Sequence, residues 1–192
     1  MIQQFPPIIL ASKSPRRQEL LKLMGIDFRV ALKEVDETFP ENLLPFEIAL
    51  YISEKKANAF DESLTNEIVI TADTIVVVDE KIIGKPQDEK NAFEILSLLS
   101  GRKHEVITAV SLLKNHEVLS FYEVSEVYFK NLAPEQISYY ISTGQPMDKA
   151  GAYGIQEWIG LIGIEKIVGS YTNVVGLPTD RLYKELTDFS LK

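Results

Sequence analysis

The stretch Leu10-Ala11-Ser12-Lys13-Ser14-Pro15-Arg16-Arg17-Gln18-Glu19 takes the chain from strand to helix within a few residues. Before it, Pro7-Ile8-Ile9-Leu10-Ala11 is a short apolar run of buried-strand type. After it, Glu19-Leu20-Leu21-Lys22-Leu23-Met24 has helical spacing and stops at Gly25. Ser14 suits an N-cap and Pro15 the first helical position. Any fold for this chain therefore has to place a strand, a tight loop and a helix N-terminus in direct succession.

Arg16 and Arg17 break a local rule. They fall in the first helical turn, where the dipole and the unpaired backbone N–H groups are already positive. A bound anion would compensate. Backbone N–H groups, the Ser12 and Ser14 hydroxyls and two guanidinium forks together suit a polyphosphate. Taken alone, the tetrapeptide is better explained by arginines that point outward and pair with Glu19 or nearby acids.

Charge narrows the ligand. Over 192 residues the formal net charge is −8, which argues against a general affinity for nucleic acid polymers or anionic membranes. A phosphorylated ligand then needs a locally basic site in an acidic molecule. There are no cysteines, hence no disulfide or thiolate chemistry. The N-terminus lacks the charged and apolar regions of a signal peptide, and no apolar run approaches the ~20 residues of a membrane span. A cytoplasmic location is the expectation, in one domain over residues 1–192.

Further along, Asp27–Val30 reads as a strand and 31–40 as an acidic loop with Glu34, Asp36 and Glu37. Pro45 opens a helix with Phe46, Ala49, Leu50, Ser53, Ala57 and Phe60 on one face. Lys56 lies at the edge of that face, either solvated or reaching into a cleft over its aliphatic stem. Glu67–Ala72 reads as a strand ending at Asp73, and a second apolar segment, Thr74–Val78, follows. A carboxylate between two such segments is costly to bury unless it is paired or binds metal.

Asp79-Glu80 is a hairpin turn into Lys81–Ile83, and Gly84-Lys85-Pro86 follows. Residues 88–100 form a helix with Ala92, Phe93, Leu96 and Leu99 inward. Two strands, 104–113 and 117–129, flank an Asn115-His116 turn. His104 is expected to be structural and His116 solvated. A helix opens at Ala133-Pro134-Glu135. Residues 146–156 are rich in small residues that let backbone approach a ligand. A strand is expected at Ile162–Ile167, a loop at 169–178 and a final helix at 179–189.

Two arginines, two lysines and an acid within a strand pattern make an inventory for phosphate and metal. Mg²⁺ prefers carboxylate and phosphate oxygens and would bridge a polyphosphate to Asp73. A carboxylate near the metal can deprotonate an attacking water, while Lys56, Lys85 and the arginines neutralise the leaving group.

Leu10-Ala11-Ser12-x-Ser14-Pro15-Arg16-Arg17-x-Glu19-Leu20-Leu21 resembles the N-terminal signature of the Maf family of nucleoside triphosphate pyrophosphatases. Val35-Asp36-Glu37, Lys56-Ala57, Ala72-Asp73-Thr74 and Gly84-Lys85-Pro86 resemble its later motifs in order. So do Gly101-Arg102-x-His104-x-Val106-x-Thr108-Ala109-Val110, the run Asp148–Gln156, and Gly169-Ser170-Tyr171-x-Asn173-Val174-Val175-Gly176-Leu177-Pro178.

The resemblance implies an α/β fold, with an elongated mixed β-sheet and flanking helices forming two lobes around a deep cleft, related to inosine triphosphatase. It implies hydrolysis between the α and β phosphates with a divalent metal cation, Mg²⁺ or Mn²⁺. Asp73 matches the catalytic base and Ser14, Arg16, Arg17, Glu37, Lys56 and Lys85 the other polar cleft positions, with Asp73 and Glu37 as metal ligands. Arg17, Thr74 and Gln156 match the branch resembling dTTP/UTP pyrophosphatases rather than the 7-methyl-GTP branch. Ser12 joins the substrate-binding set, and a homodimer is consistent with the family. Glu157-Trp158-Ile159 departs from the smaller residues many members carry, and Trp158 is expected to pack. A nucleotide-binding regulator of cell division acting through a protein partner, and a generic phosphatase, are the competing readings.

Overall fold

The computed structural model describes residues 4–61 and 66–191. The strands are β1 (Ile8–Leu10), β2 (Phe28–Val30), β3 (Ile68–Val78), β4 (Lys81–Ile83), β5 (Lys103–Lys114), β6 (Glu117–Phe129) and β7 (Ile164–Val168). The helices are α1 (Pro15–Leu23), α2 (Pro45–Asn58), α3 (Glu89–Leu99), α4 (Pro134–Ser142), α5 (Trp158–Gly163), α6 (Tyr171–Val175) and α7 (Thr179–Ser190). Among the described residues the strands form one mixed sheet in the order β2-β1-β3-β5-β6-β7, with β4 on β3. β1 runs parallel to both β2 and β3, whereas β4 and β7 pair antiparallel with β3 and β6. No helix among the described residues is long and apolar enough to cross a membrane.

The chain divides into two compact units. Unit 1 comprises Met1–Asp73, Thr108–Glu123 and Gly176–Lys192, and unit 2 comprises Thr74–Ile107 and Val124–Val175. β3, β5 and β6 each contribute residues to both. The first division falls directly after Asp73.

In unit 1, Ile8–Leu10 is buried on both faces, as a parallel strand between two neighbours requires. Ile9, Val69, Leu113, Ala57 and Phe60 form an apolar cluster that seats α2 on the sheet. The inward stripe of α2 is Ile48, Ala49, Ile52, Ser53 and Ala57. It is rotated from the expected face, and Phe46 and Leu50 are only half-buried. Phe46 instead stacks on Tyr122 at a centroid distance of 4.8 Å.

In unit 2, α3 packs against α4 and against two short 3₁₀ turns in residues 145–152. Its buried residues are Ala92, Ile95, Leu96 and Leu99, with Phe93 half-buried. Asp88 caps it, accepting from the Asn91 N–H at 2.7 Å. Gly151, at φ 72°, fits against Val76, whose methyl carbon would lie 3.0 Å from any Cβ placed there. A side chain at 151 would be both strained and crowded.

Three further expectations change. β3 is one continuous strand through Asp73 rather than two segments meeting there, because the residue keeps extended pairing geometry. Residues 158–163 are helical, so the last strand begins at Ile164. Residues 171–175 form a helical turn within the expected loop. Both helices are too short for a periodic pattern to show. The two hairpin turns form as expected, with positive φ at Asp79, Glu80, Asn115 and His116.

Candidate active site

In unit 1 the strand-to-helix stretch folds locally as its residues dictate. Ser14 adopts extended backbone and its hydroxyl accepts from the Arg17 N–H at 3.5 Å, capping α1 with Pro15 at the first position. The Ser12 hydroxyl, buried, accepts from the Ser14 N–H at 3.2 Å and from Arg17 Nη1 at 3.3 Å. Both serines therefore shape the loop.

Arg17 turns inward. Its Nε donates to the Gly176 carbonyl at 2.8 Å and its Nη1 to the Ala72 carbonyl at 2.9 Å. One guanidinium fork thus ties the start of α1 to β3 beside Asp73 and to the loop before α7. Burial lowers the Arg17 pKa from its ordinary value; Asp73 opposes that, Arg16 adds to it, and Glu37 opposes it. An outward pairing with Glu19 is not what these bonds describe. Arg16 occupies the adjacent helical position and is half-buried.

Asp73 sits mid-strand in β3 with its side chain 13% exposed. Lys56 of α2 donates to its Oδ1 at 2.9 Å, and the same ammonium lies 3.0 Å from Glu37 Oε1. Two carboxylates thus converge on one cation. The register that brings Lys56 to Asp73 is set by hydroxyls, of which the helical spacing places only Ser53 inward. Thr71, on the same face of β3 as Asp73, donates to the Ser53 carbonyl at 2.6 Å. Ser53, one turn before Lys56, shares a 2.8 Å hydrogen bond with Ser111 of β5, which in turn meets Ser120 of β6 at 2.9 Å. These buried groups are satisfied only in one helix–sheet register.

The acidic loop is docked by neighbouring lysines of α2. Lys55 reaches the Thr38 carbonyl at 3.2 Å and lies 3.6 Å from Asp36. Asp36 accepts from the Thr38 N–H at 3.0 Å and from its hydroxyl, and these bonds lower its pKa from the ordinary carboxylate value. This Asx-type turn fixes Glu37 where Lys56 meets it. Among the described residues no group of three or more His, Asp or Glu side chains could hold a metal by itself.

Thr74, Lys85 and Gln156 belong to unit 2. Thr74 follows Asp73 in β3 and is half-buried; Lys85 and Gln156 are exposed. The Gly84 carbonyl, beside Lys85, accepts from the Gly151 N–H at 3.1 Å. This bond joins the Gly84-Lys85-Pro86 segment to the 148–156 motif. Trp158 packs edge-on against Tyr139 at 4.8 Å. His104 is structural: buried against Phe129 and Tyr153, it shares a 2.7 Å hydrogen bond with the Tyr153 hydroxyl. Its Nδ1 has no partner among the described residues, and burial lowers its pKa to about 4. His116 is exposed and bonds to Asp61 at 2.9 Å.

The chain is a mixed α/β protein whose fold resembles that of a HAM1 protein from Coxiella burnetii, with a TM-score of 0.51 and 15% identity over 95% of this chain and 98% of that one. Residues 7–189 match the Maf family, Maf-like protein, and the chain belongs to that family. It is 50% identical over 177 residues to a dTTP/UTP pyrophosphatase of Flavobacterium psychrophilum, covering 92% of this chain and 91% of that protein. It is 52% identical over 181 residues to a dTTP/UTP pyrophosphatase of Phocaeicola vulgatus, covering 93% and 94%.

Proposed function

We propose that this chain is a nucleoside triphosphate pyrophosphatase acting on dTTP and UTP. One water is added across the anhydride between the α and β phosphates, giving nucleoside monophosphate and pyrophosphate. The observation that carries the reading is the convergence of Glu37 and Asp73 on Lys56, at 3.0 and 2.9 Å, in the unit where Arg17 is anchored beside Asp73. The names of relatives about half identical over nearly the whole chain support the substrate.

Each residue then takes a role by its chemistry. Asp73 is the general base: it takes a proton from the attacking water while the hydroxyl goes to phosphorus and the anhydride bond breaks. Lys56 orients that carboxylate and neutralises charge on the phosphates. Arg16, with the N–H groups that open α1 and the Ser14 hydroxyl, binds phosphate oxygens. Arg17 and Ser12 hold that loop in place. Lys85 binds the leaving pyrophosphate, on the strength of its motif. Thr74 and Gln156 read the base; an amide offers a donor and an acceptor to the matching edge of a pyrimidine.

Asp73 and Glu37 are the residues that would hold a divalent cation, Mg²⁺ or Mn²⁺. Both are hard carboxylate donors, the type such an ion takes in ones and twos with phosphate and water oxygens completing its shell; the point where they converge here is held by the Lys56 ammonium. When bound, the ion supplies charge neutralisation across the triphosphate.

The test is turnover of a nucleotide panel with Mg²⁺, with pyrophosphate and orthophosphate assayed separately. Pyrophosphate from dTTP and UTP, and little from purine triphosphates, is the expected result. Orthophosphate as first product overturns the reaction assigned, and pyrophosphate from 7-methyl-GTP overturns the roles of Thr74 and Gln156.

A further inference from the structure

Unit 2 contains a buried polar cluster that the proposed reaction does not use. Lys149 is 7% exposed. Its ammonium donates to the Gln145 carbonyl and lies 2.5 Å from Asp148 Oδ1 and 2.9 Å from Glu157 Oε1. The other Glu157 oxygen accepts from the hydroxyl of Tyr140, which is fully buried. That same hydroxyl accepts from the Gly154 N–H at 3.1 Å.

These bonds enclose one turn. The Glu157 N–H donates to the Gly154 carbonyl at 3.0 Å, so residues 154–157 form a β-turn with Gln156 in its third position. Tyr140 holds both ends: Gly154 through its backbone and Glu157 through its carboxylate. The carboxylate folds back over Gly154, where an added Cβ would lie 2.5 Å from Glu157 Cδ. A side chain at 154 would push that carboxylate away from its present place. At the apex Gln156 is exposed. A lysine, a carboxylate and a phenol are thus withdrawn from water around a turn whose central side chain faces it. Such a buried network costs desolvation, and conformational specificity is what it supplies in return.

We propose that Tyr140, Lys149 and Glu157 are positioning residues that hold Gln156 in the geometry needed to discriminate the pyrimidine base. The inference rests on the function proposed above and adds to it the part of the chain that sets its selectivity. None of the three touches the reacting phosphates in this scheme. Their loss therefore weakens recognition of the base rather than the chemical step.

UTP and CTP make the sensitive pair, because they are equal in size and exchange donor for acceptor at the base edge. The experiment compares kcat and KM for UTP and CTP in the parent, Tyr140→Phe and Glu157→Gln, each with a thermal melt. Both substitutions preserve shape. The expected result is a rise in KM for UTP with kcat changed far less, and a UTP-to-CTP ratio of kcat/KM that falls about 10- to 100-fold. An unchanged ratio in two active, cooperatively melting variants overturns the inference and leaves the proposed function standing. Loss of cooperative melting together with activity in both variants overturns it too, because the cluster is then part of the core alone. A parent that releases no pyrophosphate from dTTP or UTP overturns the proposed function, and this inference with it.

Discussion

Each unit places a lysine between two carboxylates, and the two clusters differ in how completely they are closed. In unit 1, Lys56 is 20% exposed and joins Asp73, at 13%, to Glu37, at 59%. In unit 2, Lys149 is 7% exposed and joins Glu157, at 19%, to Asp148, at 67%. The residue types are the same. Around Lys149, however, the Gln145 carbonyl joins the two carboxylates, so that three acceptors meet three ammonium protons, and the Tyr140 phenol donates to the other Glu157 oxygen. Around Lys56 the acceptors are carboxylates, one of them on an exposed loop. A saturated cluster fixes geometry, while one bordered by solvent can exchange a partner for substrate.

The largest effect that tests this contrast is on turnover. Asp73→Asn keeps the shape of the residue and removes its basicity; pyrophosphate release from dTTP falls by about 10²–10⁴-fold. Nucleotide binding, followed by calorimetry, is retained. Full turnover in this variant ends the assignment of Asp73 as base.

The second experiment sets the two lysines against each other. Lys149→Met leaves the largely buried Glu157 carboxylate without its cation and lowers unfolding stability by about 3 kcal/mol, read from urea titration. Lys56→Met costs less stability, because Glu37 is exposed and the Arg17 cation already faces Asp73. It lowers turnover by about 10²-fold. Equal effects of the two substitutions on both readouts would erase the distinction between closed and open clusters.

Two histidines sharpen the same contrast between buried and exposed groups. His104 is held neutral by burial with its pKa lowered to about 4. The unfolded chain binds that proton near the ordinary 6.5, so stability is intact above this value and is lost as pH falls through the window from 6.5 to about 4. The loss amounts to ~3 kcal/mol, and a His104→Phe variant melts with a flatter pH dependence across the window. The smallest effect is at His116. Its exposed ring donates a hydrogen bond to the Asp61 carboxylate, which raises its pKa. Any stabilisation there is present below the unfolded value and fades as pH rises through the folded one. Asp61→Asn brings the pKa back toward 6.5 by NMR titration, with no measurable change in the melt.

The reach of the sequence can be judged at particular residues. The order strand, loop, helix at Leu10–Glu19 was legible because capping and proline placement are local properties. Both hairpin turns were legible for the same reason. The inward face of α2 was misplaced by part of a turn: Phe46 and Leu50 have the right spacing, but the sheet beneath takes Ile48 and Ile52. The helices at 158–163 and 171–175 are one or two turns long, below the length at which periodicity is visible. In the site, Asp73, Glu37 and Lys56 were named from their motifs, and the structure brings them together. Thr71, Ser53 and Ser111, which set that meeting, and Tyr140, Lys149 and Glu157, which close the other cluster, were not named as functional. Nothing local distinguishes a hydroxyl or a lysine with a buried partner from one in water.

The sequence by itself determined what nearest neighbours along the chain decide. It set the longer helices and the order of the elements, the caps and turns between them, and the residue types able to bind a polyphosphate. Tertiary structure alone decided which lysine is closed and which is open, and that Arg17 anchors a loop. It also made β3 run unbroken through Asp73. The physical reason is that these outcomes depend on desolvation. A carboxylate or an ammonium acquires its character from partners brought in from distant positions, as Lys56 does from Glu37 and Asp73.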